Sequence, residues 1–507
     1  MGTPQEDASG EDFAPPVTTV AGTGTAGSAG DGGPAVAAQL NRPYGIAVDS
    51  TGTLYFSDYS GHRVRKITTD GKISTVAGTG TAGFRGDGGP AEAAQLHAPR
   101  EVAVDGAGAL YIADSNNHRI RKVTADGKIS TVAGTGAAGF RGDGGPATAG
   151  QLNLPLGVAV DSTGNLYIAD YYNHRVRKVA ADGTISTVAG NGTAGAKGDG
   201  GPAVAAQLNG LHGVAVDGAG ELYIADNKNH RVRKVTADGK ISTVAGTGVA
   251  GFGGDDGPAV SAKLHFPVGV MVDSAGTLYV SDYSNHRVRK VTADGKISTV
   301  AGTGVAGFGG DDGPPTSAQL NGPRKMAVDC VDTLYITDHL NNRIRKIASV
   351  RTAGLPDSGT VVSWANVRSR LRMAVHREST KDGAEIHQSL AVPRDHQRWR
   401  LVAAGQEDGD VLYRIENVRS GKVLEVLGAQ EMAGAVVAQR AYEGGDAHHQ
   451  HWRLIPVAAA NGTPAVYEIA NRHSGLLLRV DTNARTAVKQ HGSEGDHRER
   501  QWQLLPV

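Results

Sequence analysis

Two markers recur across residues 17 to 350 at a single spacing. Segments of the HRVRK type begin at His62, His118, His174, His230 and His286, with Asn342 in the sixth place, and the glycine of VAG falls at Gly22, Gly78, Gly134, Gly190, Gly246 and Gly302. Both run in steps of 56 residues. A period of this length marks an array of supersecondary units that bury their apolar faces only against one another. The second unit reads as four short strands, EVAVD (101–105), LYIAD (110–114), RIRKV (119–123) and ISTVAG (129–134). Their alternating β-branched residues and the Asp-Gly turns DGAG and ADGK carry that reading. Four antiparallel strands make one propeller blade.

The ends of the array are offset. The chain opens with a lone fourth strand, VTTVAG (17–22), while the sixth unit has three strands (325–329, 334–338, 343–347) and no clear fourth. Joining them hides two sheet edges at once. The expected fold is therefore all-β, a closed six-bladed propeller over 17–350 whose N-terminal strand completes the last blade. A linker follows at 351–360, then a second β-domain at 361–507, and the acidic segment 1–16 is expected to be disordered.

The residues LYIADSNNHRIRKV resemble an NHL repeat, and VAGTGTAGFRGDGGPA is similar to the longer variant found in many bacterial proteins and in teneurins. The resemblance occurs six times and implies the propeller fold. It implies no single activity, since the family includes lyases, RNA-binding modules, adhesion modules and sensors.

Composition narrows the partners. Lys plus Arg equals Asp plus Glu at 51 each, so no global field draws the chain to nucleic acid or to an anionic membrane, and neither is expected as a partner. Cys330 is the single cysteine, so no intrachain disulfide can form. No apolar run opens the chain, and no apolar stretch of about 18 residues occurs. A soluble monomer is expected, cytoplasmic as written and secreted where a signal had been removed.

Near-identical copies expose their own diversified positions. Before the first strand of each unit they read NRPYG, HAPRE, NLPLG, NGLHG, HFPVG and NGPRK, with Glu101 and Lys325 replacing a framework glycine. If that strand is innermost, the channel mouth gathers Tyr44, Arg100, Glu101, His212, Arg324 and Lys325, with Leu154, Leu156, Phe266 and Val268. Arg324, Lys325, Tyr44, Arg100 and Glu101 come from adjacent blades and form a mostly cationic arc, suited to a ligand with an anionic end and an apolar body. Rim residues that drifted without constraint give the same pattern.

Other features read as framework. One histidine per blade at identical places is far from any common centre. His97 and His265 read as turn caps, and no metal or cofactor is expected. The Asp of each GDGGP supplies too few oxygens for calcium, and the two Arg-Gly-Asp tripeptides are that framework with a chance prefix. The RVRK strands are expected to be solvated edges protected by charge.

Beyond the linker, QRWRL (397–401), QHWRL (450–454) and RQWQL (500–504) recur, and all four tryptophans lie there. The three-fold spacing fits a β-trefoil, and QxW with an upstream NxxSG resembles ricin-type lectin modules. The resemblance implies one carboxylate and one aromatic platform per sugar site. The three lobes offer Ala374, Glu425 and Arg479 at the acidic position, and only the middle lobe joins Glu425 to Tyr442, near Gln439. At most one carbohydrate site is expected.

Two functions remain open. One is a recognition protein whose propeller face binds a small anionic ligand or a protein partner, with the trefoil binding carbohydrate. The other is a lyase or hydrolase acting on an anionic or glycosidic substrate, with His212 or Glu101 as acid or base and Tyr44, Arg100 and Arg324 holding the anion.

Overall fold

The computed structural model describes residues 16–49, 51–273, 276–329 and 333–347, and, in the C-terminal region, 361–366, 372–389, 395–407, 410–430, 433, 435–443, 448–457, 466–480, 488–491 and 502–506. The expectations for residues 1–15 and 351–360, and for Cys330 and Arg500, lie outside them.

Six four-stranded antiparallel sheets make the blades. The innermost strands are Pro43–Val48, Pro99–Val104, Pro155–Val160, Leu211–Val216, Pro267–Val272 and Pro323–Val328. Each packs on the inner strands of its two neighbours, and the sixth packs on the first, which closes the ring. The sixth sheet takes Val17–Ala21 as its outermost strand, with Val17 opposite Ile347 and Thr18 opposite Lys346. The apolar core lies between blades. Tyr167, Ala169 and Val176 of the third blade, for example, pack with Leu211, Val214 and Ile224 of the fourth.

The charged third strands depart from the expectation. They are not edges, because an ISTVA segment covers each of the first five and the N-terminal VTTVA covers the sixth, and the second arginine of each RVRK or RIRK is fully buried: Arg65, Arg121, Arg177, Arg233, Arg289 and Arg345. Each contacts the first Asp of the GDGGP or GDDGP loop, Asp31, Asp87, Asp143, Asp199, Asp255 or Asp311, at 2.6 Å. The repeat aspartate is thus the counter-ion of a buried arginine.

The blade histidines are framework, as expected. His62, His118, His174, His230 and His286 all sit at φ between 50 and 53°, and Asn342 at 51°. Asn tolerates this left-handed region better than most residues. The imidazole Nδ1 of His62, His118, His230 and His286 accepts a backbone N–H of the next blade at 3.0–3.2 Å, and Asn342 Oδ1 accepts that of Arg42 at 2.9 Å. One acceptor at one place therefore links blade to blade at five of the six junctions, while Nδ1 of His174 is buried without a partner.

In the C-terminal region six strands pair into a closed barrel. In order around it they are Val361–Asn366, Trp399–Glu407, Asp410–Asn417, Trp452–Val457, Val466–Asn471 and Trp502–Pro506, and the last pairs with the first. Three hairpins, Arg372–Val375 with Ala384–Ser389, Val423–Val426 with Val437–Arg440, and Leu477–Val480 with Val488–His491, complete a β-trefoil. Trp399, Trp452 and Trp502 are fully buried, and their indole N–H groups donate to Met373 O, Leu424 O and Leu478 O at 3.2, 2.8 and 3.1 Å. The QxW tryptophans hold the core.

Candidate functional site

Proline opens five of the six inner strands, a place where its missing N–H costs the ladder nothing. The strands therefore start earlier than the sequence suggested, at Pro99 rather than Glu101 in the second blade. Each also carries one residue more than its partner just after its start, between Pro99 and Val102 for instance. Such a bulge re-aims the side chains beside it, and here those are the diversified residues. The framework glycine has a steric reason. A Cβ on Gly213 would stand 2.7 Å from Val268 O, and one on Gly45 would collide with Arg100 O.

Tyr44, Arg100, Leu156, His212 and Arg324 converge on a cavity of about 280 Å³ at the channel mouth, together with Arg42, Leu154, Tyr59, Tyr171, Tyr172 and His339. None of these eleven lining residues is acidic. Tyr44 and His212 come from opposite blades, and the Tyr44 hydroxyl lies 3.0 Å from His212 Nδ1, so their bond bars the mouth. The Arg324 and Arg100 guanidiniums lie 4.3 and 5.7 Å from the Tyr44 ring centre. Burial, and then Arg324, Arg100 and Lys228, hold the His212 pKa well below its ordinary value, so the imidazole is neutral. Burial and Arg324 push His339 down to about 3.

The expected arc divides into two layers. Glu101 and Lys325 lie below the mouth and pair with each other, and Lys325 Nζ also donates to Val270 O at 3.1 Å and Val214 O at 3.4 Å. Lys325 is therefore a strut across the channel. Burial pushes the Glu101 carboxyl up to about 7 against the pull of Lys325. A carboxyl poised there suits acid or base work, but its side chain is only 4 % exposed. The void it shares with His212 measures about 10 Å³, room for one water at most. A substrate in the mouth does not reach it. Phe266 also leaves the expected set: it stacks on His265 and meets His230 edge to face, with ring centres 5.1 and 4.6 Å away, and does not line the cavity.

Sequence reasoning missed Tyr59, Tyr171 and His339. They open the short turn after the second strand, where the six copies read Tyr59, Ser115, Tyr171, Asn227, Tyr283 and His339. This place diverges between copies as openly as the mouth strand does, so the same comparison within the chain would have found it.

In the trefoil, Glu425 is buried, with Arg440 Nε and Gln450 Nε2 each at 3.1 Å from its oxygens. Gln439 is buried too: its amide donates to Ser379 O and Lys381 O at 2.9 and 3.1 Å and accepts from the Ser420 hydroxyl at 2.8 Å. It ties two lobes together and presents nothing to a ligand. Tyr442 is half-buried, its hydroxyl 3.0 Å from His451 Nε2 and its ring under Arg414. Ligand atoms of Glu425, Glu443 and His449 lie within 4.8 Å of one another. Arg440 already supplies the positive charge that a cation would bring there.

Comparison with known proteins defines the class. Residues 11–83 and 80–141 match the teneurin NHL domain, residues 152–179, 208–235 and 264–291 match the NHL repeat, and residues 352–440 and 395–491 match the ricin-type beta-trefoil lectin domain-like family. The chain is an NHL-repeat β-propeller joined to a ricin-type β-trefoil lectin-like domain. It is 30% identical over 325 residues to the protein SUPPRESSOR OF QUENCHING 1, chloroplastic, of Arabidopsis thaliana, covering 61% of this chain and 30% of that one. It is 29% identical over 353 residues to Teneurin-4 of Homo sapiens, covering 61% of this chain and 12% of that one. The chain thus spans a minor part of either relative. A structural genomics protein of unknown function from Bacteroides thetaiotaomicron superposes with a TM-score of 0.50 at 22% identity, over 66% of this chain and 76% of that one, a likeness of fold.

Proposed function

We propose that this chain is a recognition protein whose propeller mouth holds a small ligand by an anionic end. The NHL propeller and the lectin-like domain both support a binding role. The observation that carries the finer reading is the cavity itself: it collects Arg42, Arg100 and Arg324 on tyrosine and leucine walls with no carboxylate among its lining residues. Uncompensated guanidiniums beside aromatic surface favour an anion attached to an apolar or ring-shaped body. In the trefoil, carbohydrate contact falls to the middle lobe at Tyr442, with Glu425 and Gln439 shaping the lobe from within. Calorimetric titration of the full chain with small carboxylates, phosphates and neutral sugars tests both sites. Tyr44→Ala is expected to abolish uptake of the anions alone, and Tyr442→Ala uptake of the sugars alone. Anion binding indifferent to Tyr44→Ala would refute the mouth.

A further inference from the structure

Three basic groups of the mouth come from alternate blades, inside the exposed Arg42. Arg100, His212 and Arg324 stand on the inner strands of the second, fourth and sixth. Each rests against a tyrosine of the blade before it: Arg100 on Tyr59 at 5.3 Å, His212 on Tyr171 at 5.5 Å, and Arg324 on Tyr283 at 4.6 Å. The intervening blades place Tyr44, Leu156 and Val268 at the same position. Alternate blades of a six-bladed ring lie a third of a turn apart, so the three nitrogen groups approach the axis from evenly spaced sides.

Stacking occupies the face of a guanidinium and leaves its N–H edge for a ligand. That edge is unused here. The Nε atoms of Arg100 and Arg324 are buried without a hydrogen-bond partner, and neither arginine forms an ion pair among the described residues. The neutral His212 and the Tyr44 hydroxyl share one hydrogen bond and hold two protons between them, so in either tautomer one proton, on His212 Nε2 or on the Tyr44 oxygen, is left over as a third donor. No acid lines the cavity, and Glu101, which lies below it, is paired with Lys325.

Resting on the anionic-end reading above, we propose that the mouth is a tripod for a tetrahedral dianion, a phosphate carried as a monoester on a small body. The two partly buried guanidiniums, Arg100 and Arg324, match two negative charges, while Arg42 lies exposed to solvent, and donors on three sides match the three free oxygens of such a group. A planar monocarboxylate satisfies one arginine and strands the other two donors.

Calorimetric titration of the full chain at low salt with inorganic phosphate, sulfate and acetate tests this. Phosphate and sulfate are expected to bind at least about tenfold more tightly than acetate, and Arg100→Gln and Arg324→Gln are each expected to weaken phosphate by about tenfold. If a variant melts early, the Nε–H resonances of the unsubstituted chain serve instead, and phosphate should shift both arginines. Acetate equal to phosphate, with both lost in the variants, overturns the dianion and leaves the anionic-end reading standing. Phosphate binding that ignores both substitutions overturns the two together.

Discussion

Each blade buries one arginine between two aspartates. Arg121 lies 2.6 Å from Asp87 in the loop and 3.3 Å from Asp114 in the strand, and Asp114 is as fully enclosed as the arginine. Enclosing charge is costly, and the cost is offset only while every partner stays in place. Asp114→Ala is expected to destabilise the propeller by about 3 kcal/mol in chemical denaturation, since it strands half of a buried pair. The mouth histidines set a pH dependence of definite sign. His339 titrates near 3 in the folded chain, whereas an unfolded histidine takes up its proton near 6.5. Its stabilisation is therefore present above 6.5 and is lost as pH falls toward 3. Glu101 and Asp58 act in the opposite sense. Burial raises them to about 7 and about 6, so their contribution is lost as pH rises out of the ordinary carboxylate range toward those values. The two trends flatten the global profile, so the test must be local: the His339 ring protons are expected to keep neutral-imidazole chemical shifts at pH 5.

At the scale of elements the N-terminal strand does more than cover an edge. Thr19 donates its hydroxyl to Asp311 at 2.7 Å, the same bond that Thr75 makes to Asp31 at 2.6 Å in the first blade. The strand thus completes the sixth aspartate's environment as a fourth strand does elsewhere. Its Val17 and Ala21 are fully buried. Deleting the chain through Ala21 is expected to expose Arg343–Ile347 as an open edge. Edges of that kind pair with other chains, so the truncated protein should associate in size-exclusion chromatography and lose the single cooperative melt of the intact ring.

The whole molecule joins two closed β-structures, a ring of sheets and a barrel of strands, and each removes its own edges. Its 51 cationic residues equal its 51 anionic ones, and the buried blade arginines are all paired with aspartates. No broad field reaches a polyanion. Filter binding at low salt is expected to show no salt-dependent retention of RNA.

Both folds were legible because repetition writes them plainly: period, turns and the orphan VTTVAG strand state the ring, and QxW states the trefoil. The membership of the mouth was legible in part, since copies that must pack alike betray Tyr44, Arg100, His212 and Arg324 by differing. Strand order alone did not say which neighbours a bulge would aim into the cavity and which below it. Glu101 read as an acid or base of the mouth and Lys325 as a ligand contact, and they became a pair across the channel, while Glu425 and Gln439 read as a sugar site and became internal ties. The sequence determined the framework because backbone pairing follows local pattern. Tertiary structure decided the fate of each polar side chain, because burial and partners are set by residues one or more blades away.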